Sequence, residues 1–105
     1  MKIKEFLLES GVYPNRKGFY AIILCVKYAK EYFIKTGKKY VLSKELYPKV
    51  AEVLKTTSVS VERNIRYCID RISEEKLTKF GINPNPTNSQ FIHGLMINSL
   101  GESYE

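Results

Sequence analysis

Hydrophobic residues recur along this chain at the three- and four-residue spacing of amphipathic helices, and Gly, Pro and capping residues divide them into segments. Ile3, Phe6, Leu7 and Leu8 give a first helix stopped by Gly11, and a loop with Pro14 and Asn15 follows. A long pattern runs from Gly18 to Thr36 through Tyr20, Ile23, Leu24, Lys27, Tyr28 and Glu31, with Gly37 suited to its C-terminal cap. It is apolar over much of its circumference, which predicts the central helix. Tyr40-Val41-Leu42 is a short extended or helical piece, and Ser43 suits the N-cap of the next turn. Pro48 is unwelcome inside a helix but well placed in a first turn. A break is therefore expected near Tyr47, with a short helix from Pro48 to Leu54 and a longer one from Ser58 to Ile72. Ser73 opens another short helix closed by Gly81, and the run Ile82 to Ser89, with two prolines, reads as a loop. Thr87 and Gln90 have capping-box spacing, so a last helix should run from Asn88 to Leu100, with Gly101 beyond it. No segment alternates like a strand. The expected fold is all-α, a compact bundle of about five or six helices in one domain spanning residues 1–105.

The stretch Leu46 to Ile72 reads as helix, tight turn, helix. At about 100° per residue, Val61, Ile65, Cys68, Ile69 and Ile72 fall on one arc of the second helix. Val59, Glu62, Arg63, Arg66 and Asp70 fall on the opposite arc. In the helix before it, Val50, Val53 and Leu54 supply apolar spacing, and the small Ala51 lets the two helices cross closely. Lys55-Thr56-Thr57 is the turn, with Thr57 as N-cap and Lys55 where many such modules have Gly. This is the pattern of a helix-turn-helix, whose second helix presents its N-terminal half to base edges in the DNA major groove. Arg donates a bidentate pair to guanine O6 and N7, and Glu accepts from cytosine N4. Glu62, Arg63 and Arg66 are thus candidate base readers. Thr57, Ser58 and Ser60, at the helix start, are candidate phosphate contacts through hydroxyls and backbone N–H groups. The competing reading of the same residues is a solvated face with a Glu62–Arg66 pair one turn apart.

Charge supports the first reading without deciding it. Seventeen Lys and Arg stand against eleven Asp and Glu, a net +6, which suits a polyanionic partner. Cys25 and Cys68 sit inside apolar patterns with no CxxC spacing and read as reduced core residues of a cytoplasmic protein, nucleoid-associated if it binds DNA. The N-terminal apolar patch is too short and too charged for a signal peptide, and no run approaches the ~18 apolar residues of a membrane span. His93 is the sole histidine, without metal partners. Glu74 and Glu75 suit a helix start, and Tyr20, Tyr28 and Tyr32 suit core or rim packing. Lys38 and Lys39 read as solvated or phosphate-touching. No phosphate loop, nucleophile elbow or paired acids appear, so neither catalysis nor a cofactor is expected.

The blocks Leu46-Tyr47-Pro48, Thr56-Thr57, Val61-Glu62-Arg63 with Ile65-Arg66, and Pro86-Thr87-Asn88-Ser89 with Phe91-Ile92 stand in one order along the chain. In this the chain resembles the DNA-binding effector domain of the stage-zero sporulation protein A family, over nearly its whole length from Ile3 to Leu100. The resemblance implies a fold of about six helices and major-groove binding to TGTCGAA-like boxes as tandem or paired domains. Glu62, Arg63 and Arg66 match the family's base-reading positions. Three departures stand out. The chain begins where the effector begins, so no receiver domain is expected in it. Ser60 replaces a residue that is often basic. The segment after the recognition helix is shorter, and of the surface that touches the RNA polymerase sigma factor only Leu77 and Phe80-Gly81 match. DNA binding therefore carries over better than transcription activation. The alternative function is a protein-interaction module that pairs with or antagonises a full-length regulator.

Overall fold

A computed structural model describes residues 2–100. The axis of the fold is helix α2 (Lys17–Thr36), against which α4 (Ser58–Ile69) and α6 (Asn88–Ser99) pack most extensively. Around them lie α1 (Ile3–Glu9), α3 (Tyr47–Leu54) and α5 (Glu74–Lys79), and no strand occurs among the described residues. The all-α bundle is as expected. Phe19, Ile22, Ile65, Phe91, Leu95 and Met96 are nearly inaccessible at its centre.

The buried stripe of α2 differs from the one its bulky residues suggest. Gly18, Phe19, Ala21, Ile22, Cys25, Val26 and Ala29 face inward. Tyr20, Lys27 and Glu31 are exposed, and Ile23, Leu24 and Tyr28 only half-buried. Small residues on the inner side let neighbouring helices come close. The closest approach is at Gly18, where a Cβ would collide with the main-chain carbonyl of Asn64 and with Cys68 Sγ on α4. Both cysteines are buried and unpaired, and burial pushes the Cys25 thiol up to about 12.

Near Pro48 the chain does not break. Proline has no N–H to donate, and its ring would strike the carbonyl of Lys44 in a regular helix. The backbone widens instead: Leu42–Leu46 form one π-helical turn, the Tyr47 N–H bonds to the Leu42 carbonyl, and α3 follows directly. Ser43 does not cap this turn; Glu45 Oε1 accepts from the Val41 N–H at 3.0 Å. Val53, expected to face inward, is 50% exposed, and Val50 and Ala51 form the buried side of α3.

Helices α1, α3 and α5 end in the same turn. Two successive N–H groups return to helix carbonyls: Gly11 to Leu8 and Val12 to Leu7, Lys55 to Glu52 and Thr56 to Ala51, Gly81 to Thr78 and Ile82 to Leu77. The turn needs a left-handed residue, supplied by Gly11 (φ 85°), Gly81 (φ 72°) and, after α3, Lys55 (φ 55°). That conformation costs an L-residue roughly 1–2 kcal/mol.

Helix α4 is shorter than its apolar pattern. It ends at Ile69, and two tight turns, Arg71 N–H to Cys68 and Ile72 N–H to Ile69, still bring Ile72 into the core. The capping box of α6 forms as expected, with Gln90 N–H to Thr87 Oγ1 at 3.1 Å and Thr87 N–H to Gln90 Oε1 at 3.0 Å. The helix stops at Ser99, one residue short of the expected end, and Gly101 lies outside the described residues.

Candidate nucleic-acid interface

The apolar arc of α4 is buried as its spacing requires, Val61, Ile65, Cys68 and Ile69 all facing the core. The opposite arc is thereby turned outward. Thr57 starts the helix from an extended backbone, its Oγ1 accepting from the Ser60 N–H at 3.1 Å. The same hydroxyl donates to Ser60 Oγ at 3.1 Å, so Thr57 and Ser60 form one polar unit beside the half-buried Ser58.

The three candidate base readers are not equivalent. Glu62 and Arg63 are exposed, and among the described residues neither side chain has an ion pair or hydrogen bond. Arg66 is half-buried and engaged. Its Nη1 donates to the Pro86 carbonyl at 2.8 Å, and its Nη2 lies 3.3 Å from Asp70 Oδ1. The helical ion pair therefore joins Arg66 to Asp70 and not to Glu62. Val59, 62% exposed on the same edge, adds an apolar contact surface.

A second element holds α4 in place. Asn88, the first residue of α6, donates through Nδ2 to the Glu62 main-chain carbonyl at 3.0 Å and to the Tyr47 hydroxyl at 3.2 Å. Burial raises the Tyr47 phenol to about 12, against a smaller opposing effect of the Asn88 bond. Sequence reasoning missed Tyr47, Pro86 and Asn88. All three stand in the blocks that carry the family resemblance, but no spacing rule gave them a role, because their partners lie many residues away.

Between these parts runs an open groove of about 940 Å³. One wall is the Val59, Glu62, Arg63 and Arg66 edge of α4; the others are Lys39 to Ser43 and Thr87 to Ser89. Lys39 thus places a cation across from the recognition edge, and Lys38 is exposed beside it. Behind this wall the Tyr40 hydroxyl lies 3.3 Å from His93 Nδ1. Burial, helped by Lys39, lowers the His93 pKa. No group of three His, Cys, Asp or Glu able to hold a metal gathers among the described residues.

The arrangement is a helix-turn-helix with the Glu62 carboxylate and the Arg63 guanidinium, neither paired among the described residues, side by side on its outer edge. The sequence model of the family described as "Sporulation initiation factor Spo0A C terminal" matches residues 3–98. The chain belongs to that family. No curated protein gives a significant match. The Spo0A C-terminal family is the DNA-binding effector domain of a sporulation response regulator, and it is not an enzyme family. Within the matched range, Leu46-Tyr47-Pro48 opens α3, Thr56-Thr57 forms the turn, Val61 to Arg66 lies in α4, and Pro86 to Ser89 forms the clamp at the start of α6. Among the described residues no helix is long and apolar enough to cross a membrane.

Proposed function

We propose that this chain binds double-stranded DNA sequence-specifically, as a transcription regulator, with α4 in the major groove of TGTCGAA-like boxes. Arg63 donates to guanine O6 and N7, and Glu62 accepts from a cytosine N4 amine. Arg66 reads a second guanine after exchanging the Pro86 carbonyl for the base. Thr57, Ser58 and Ser60 hold phosphates at the start of α4. The observation that carries this reading is the pairing of Glu62 and Arg63, adjacent and exposed, whose side chains have no ion pair or hydrogen bond among the described residues. A carboxylate on that edge opposes simple phosphate attraction, and a cytosine amine beside a guanine gives it a purpose. Occupancy of paired boxes by two copies belongs to the same reading; contact with the polymerase sigma factor carries over less well, because only Leu77 and Phe80-Gly81 match that surface.

The test is a binding competition between a TGTCGAA-like duplex and a scrambled duplex of equal length. Preference for the first, reduced in Arg63→Ala, is the expected result. Equal affinity for both duplexes overturns base reading. Weak, indiscriminate DNA binding together with co-purification of a full-length regulator would instead favour the interaction-module alternative.

A further inference from the structure

Three turns of identical hydrogen bonding close α1, α3 and α5, and two of them place glycine at the left-handed position. The third places Lys55 there, at φ 55° and ψ 50°, the sole non-glycine residue with positive φ among those described. Glycine satisfies this geometry without strain and serves the chain at Gly11 and Gly81. Lysine has no special tolerance for it: its side chain lacks the short polar group with which Asn or Asp supports a left-handed backbone.

Beyond the backbone bonds of the turn itself, no side-chain contact of Lys55 among the described residues compensates. Lys55 is exposed, and its ammonium has no ion pair, hydrogen bond or aromatic face among the described residues. By contrast, Lys49 on α3 lies 4.5 Å over the Tyr28 ring, and Lys76 lies 3.4 Å from Glu9 Oε2. A strained backbone under an unpartnered cation points to a contact made outside the chain. The position indicates which contact. Lys55 is the tip of the turn between the two helices of the helix-turn-helix, three residues before Ser58 opens α4. A helix entering the major groove by its N-terminus carries that tip past the phosphates that line the groove.

We infer that Lys55 is a DNA-backbone contact, an ammonium placed on a phosphodiester by the strained turn that precedes the recognition helix. The inference rests on the DNA-binding reading and adds to it a residue that positions the helix without reading a base. A phosphate contact contributes equally on every sequence, so Lys55 strengthens binding and leaves discrimination to Glu62 and Arg63.

The experiment compares the full chain with Lys55→Gly and Lys55→Arg, on TGTCGAA-like and scrambled duplexes over roughly 50 to 200 mM salt. Lys55→Gly relieves the turn, so its thermal midpoint should rise. Its affinity should fall several-fold at low salt on both duplexes alike. The slope of log K against log salt should become shallower by about 0.9, the release of roughly one counterion. Lys55→Arg should keep the wild-type slope. A Lys55→Gly protein that is more stable but binds with an unchanged slope overturns this inference alone. A wild-type chain that binds neither duplex overturns the DNA-binding reading, and this inference with it.

Discussion

Arg66 reaches from α4 to donate its Nη1 hydrogen to the main-chain oxygen of Pro86, 2.8 Å away. This bond gives Arg66 a structural duty that Arg63 lacks. Arg66→Ala should therefore lower stability by about 1 kcal/mol, the worth of a partly exposed charge-assisted bond, measured by urea denaturation. Arg63→Ala should leave stability within about 0.5 kcal/mol and cost about 1–3 kcal/mol in binding to the specific duplex. Equal stability of the two variants would remove the distinction.

At Gly18 the main chain of α2 meets that of α4. Gly18→Ala puts a methyl against the Asn64 carbonyl, which is part of a helix and has no rotamer to yield. Destabilisation of about 1–3 kcal/mol is expected, and more if Cys68 also fails to move. A combined Gly18→Ala, Cys68→Ala variant should recover only part of this, because the carbonyl clash remains. Full recovery would place the clash at sulfur alone.

Thr57 starts α4 by accepting the Ser60 N–H at 3.1 Å. Thr57→Ala should cost about 1 kcal/mol of stability, and Thr57→Ser much less, because serine keeps the capping oxygen. Thermal melts of the two variants against wild type check this. An alanine variant as stable as the serine variant would show the cap to be idle.

Burial and, secondarily, Lys39 lower the His93 pKa below its ordinary 6.5. The unfolded chain then binds the proton more readily than the folded one, so acid favours unfolding. Stability should rise with pH over the window just below the ordinary histidine pKa of 6.5 and lose this His93 contribution to the slope above that window. In His93→Gln the contribution should vanish, and the difference between the two stability curves isolates it from carboxylate titration. A difference that does not change across that window would contradict the lowered pKa.

Much of this fold can be read from the chain because its helices are amphipathic and punctuated locally. The Thr87–Gln90 capping box, the Ser73 cap and the apolar arc of α4 each involve residues within a few positions of one another. What escaped reading depends on distance or on hydrogen bonding that periodicity does not count. Ile72 keeps the apolar pattern although the helix ends at Ile69, since tight turns bury it equally well. The π turn before Pro48 is one of several ways to house a proline, and composition does not choose among them. On α2 periodicity favours the bulky residues as the inward ones, whereas close helix crossings bury Gly18, Ala21 and Ala29. At the candidate interface helical periodicity places Glu62, Arg63 and Arg66 together on one arc. It had no means of showing that Arg66 is held by a carbonyl twenty residues along the chain.

The clamp of Asn88 on the Glu62 carbonyl, with the main-chain contact at Gly18, fastens α4 at two points along its length. The helix is thus ordered before it meets any partner, and docking imposes no folding cost on its backbone. The freedom lost on binding belongs to the long exposed side chains, Lys55, Glu62 and Arg63, at about 0.5–1.5 kcal/mol each. The entropy cost of recognition falls on rotamers, and shortening or stiffening those side chains is the route by which affinity changes without reshaping the fold.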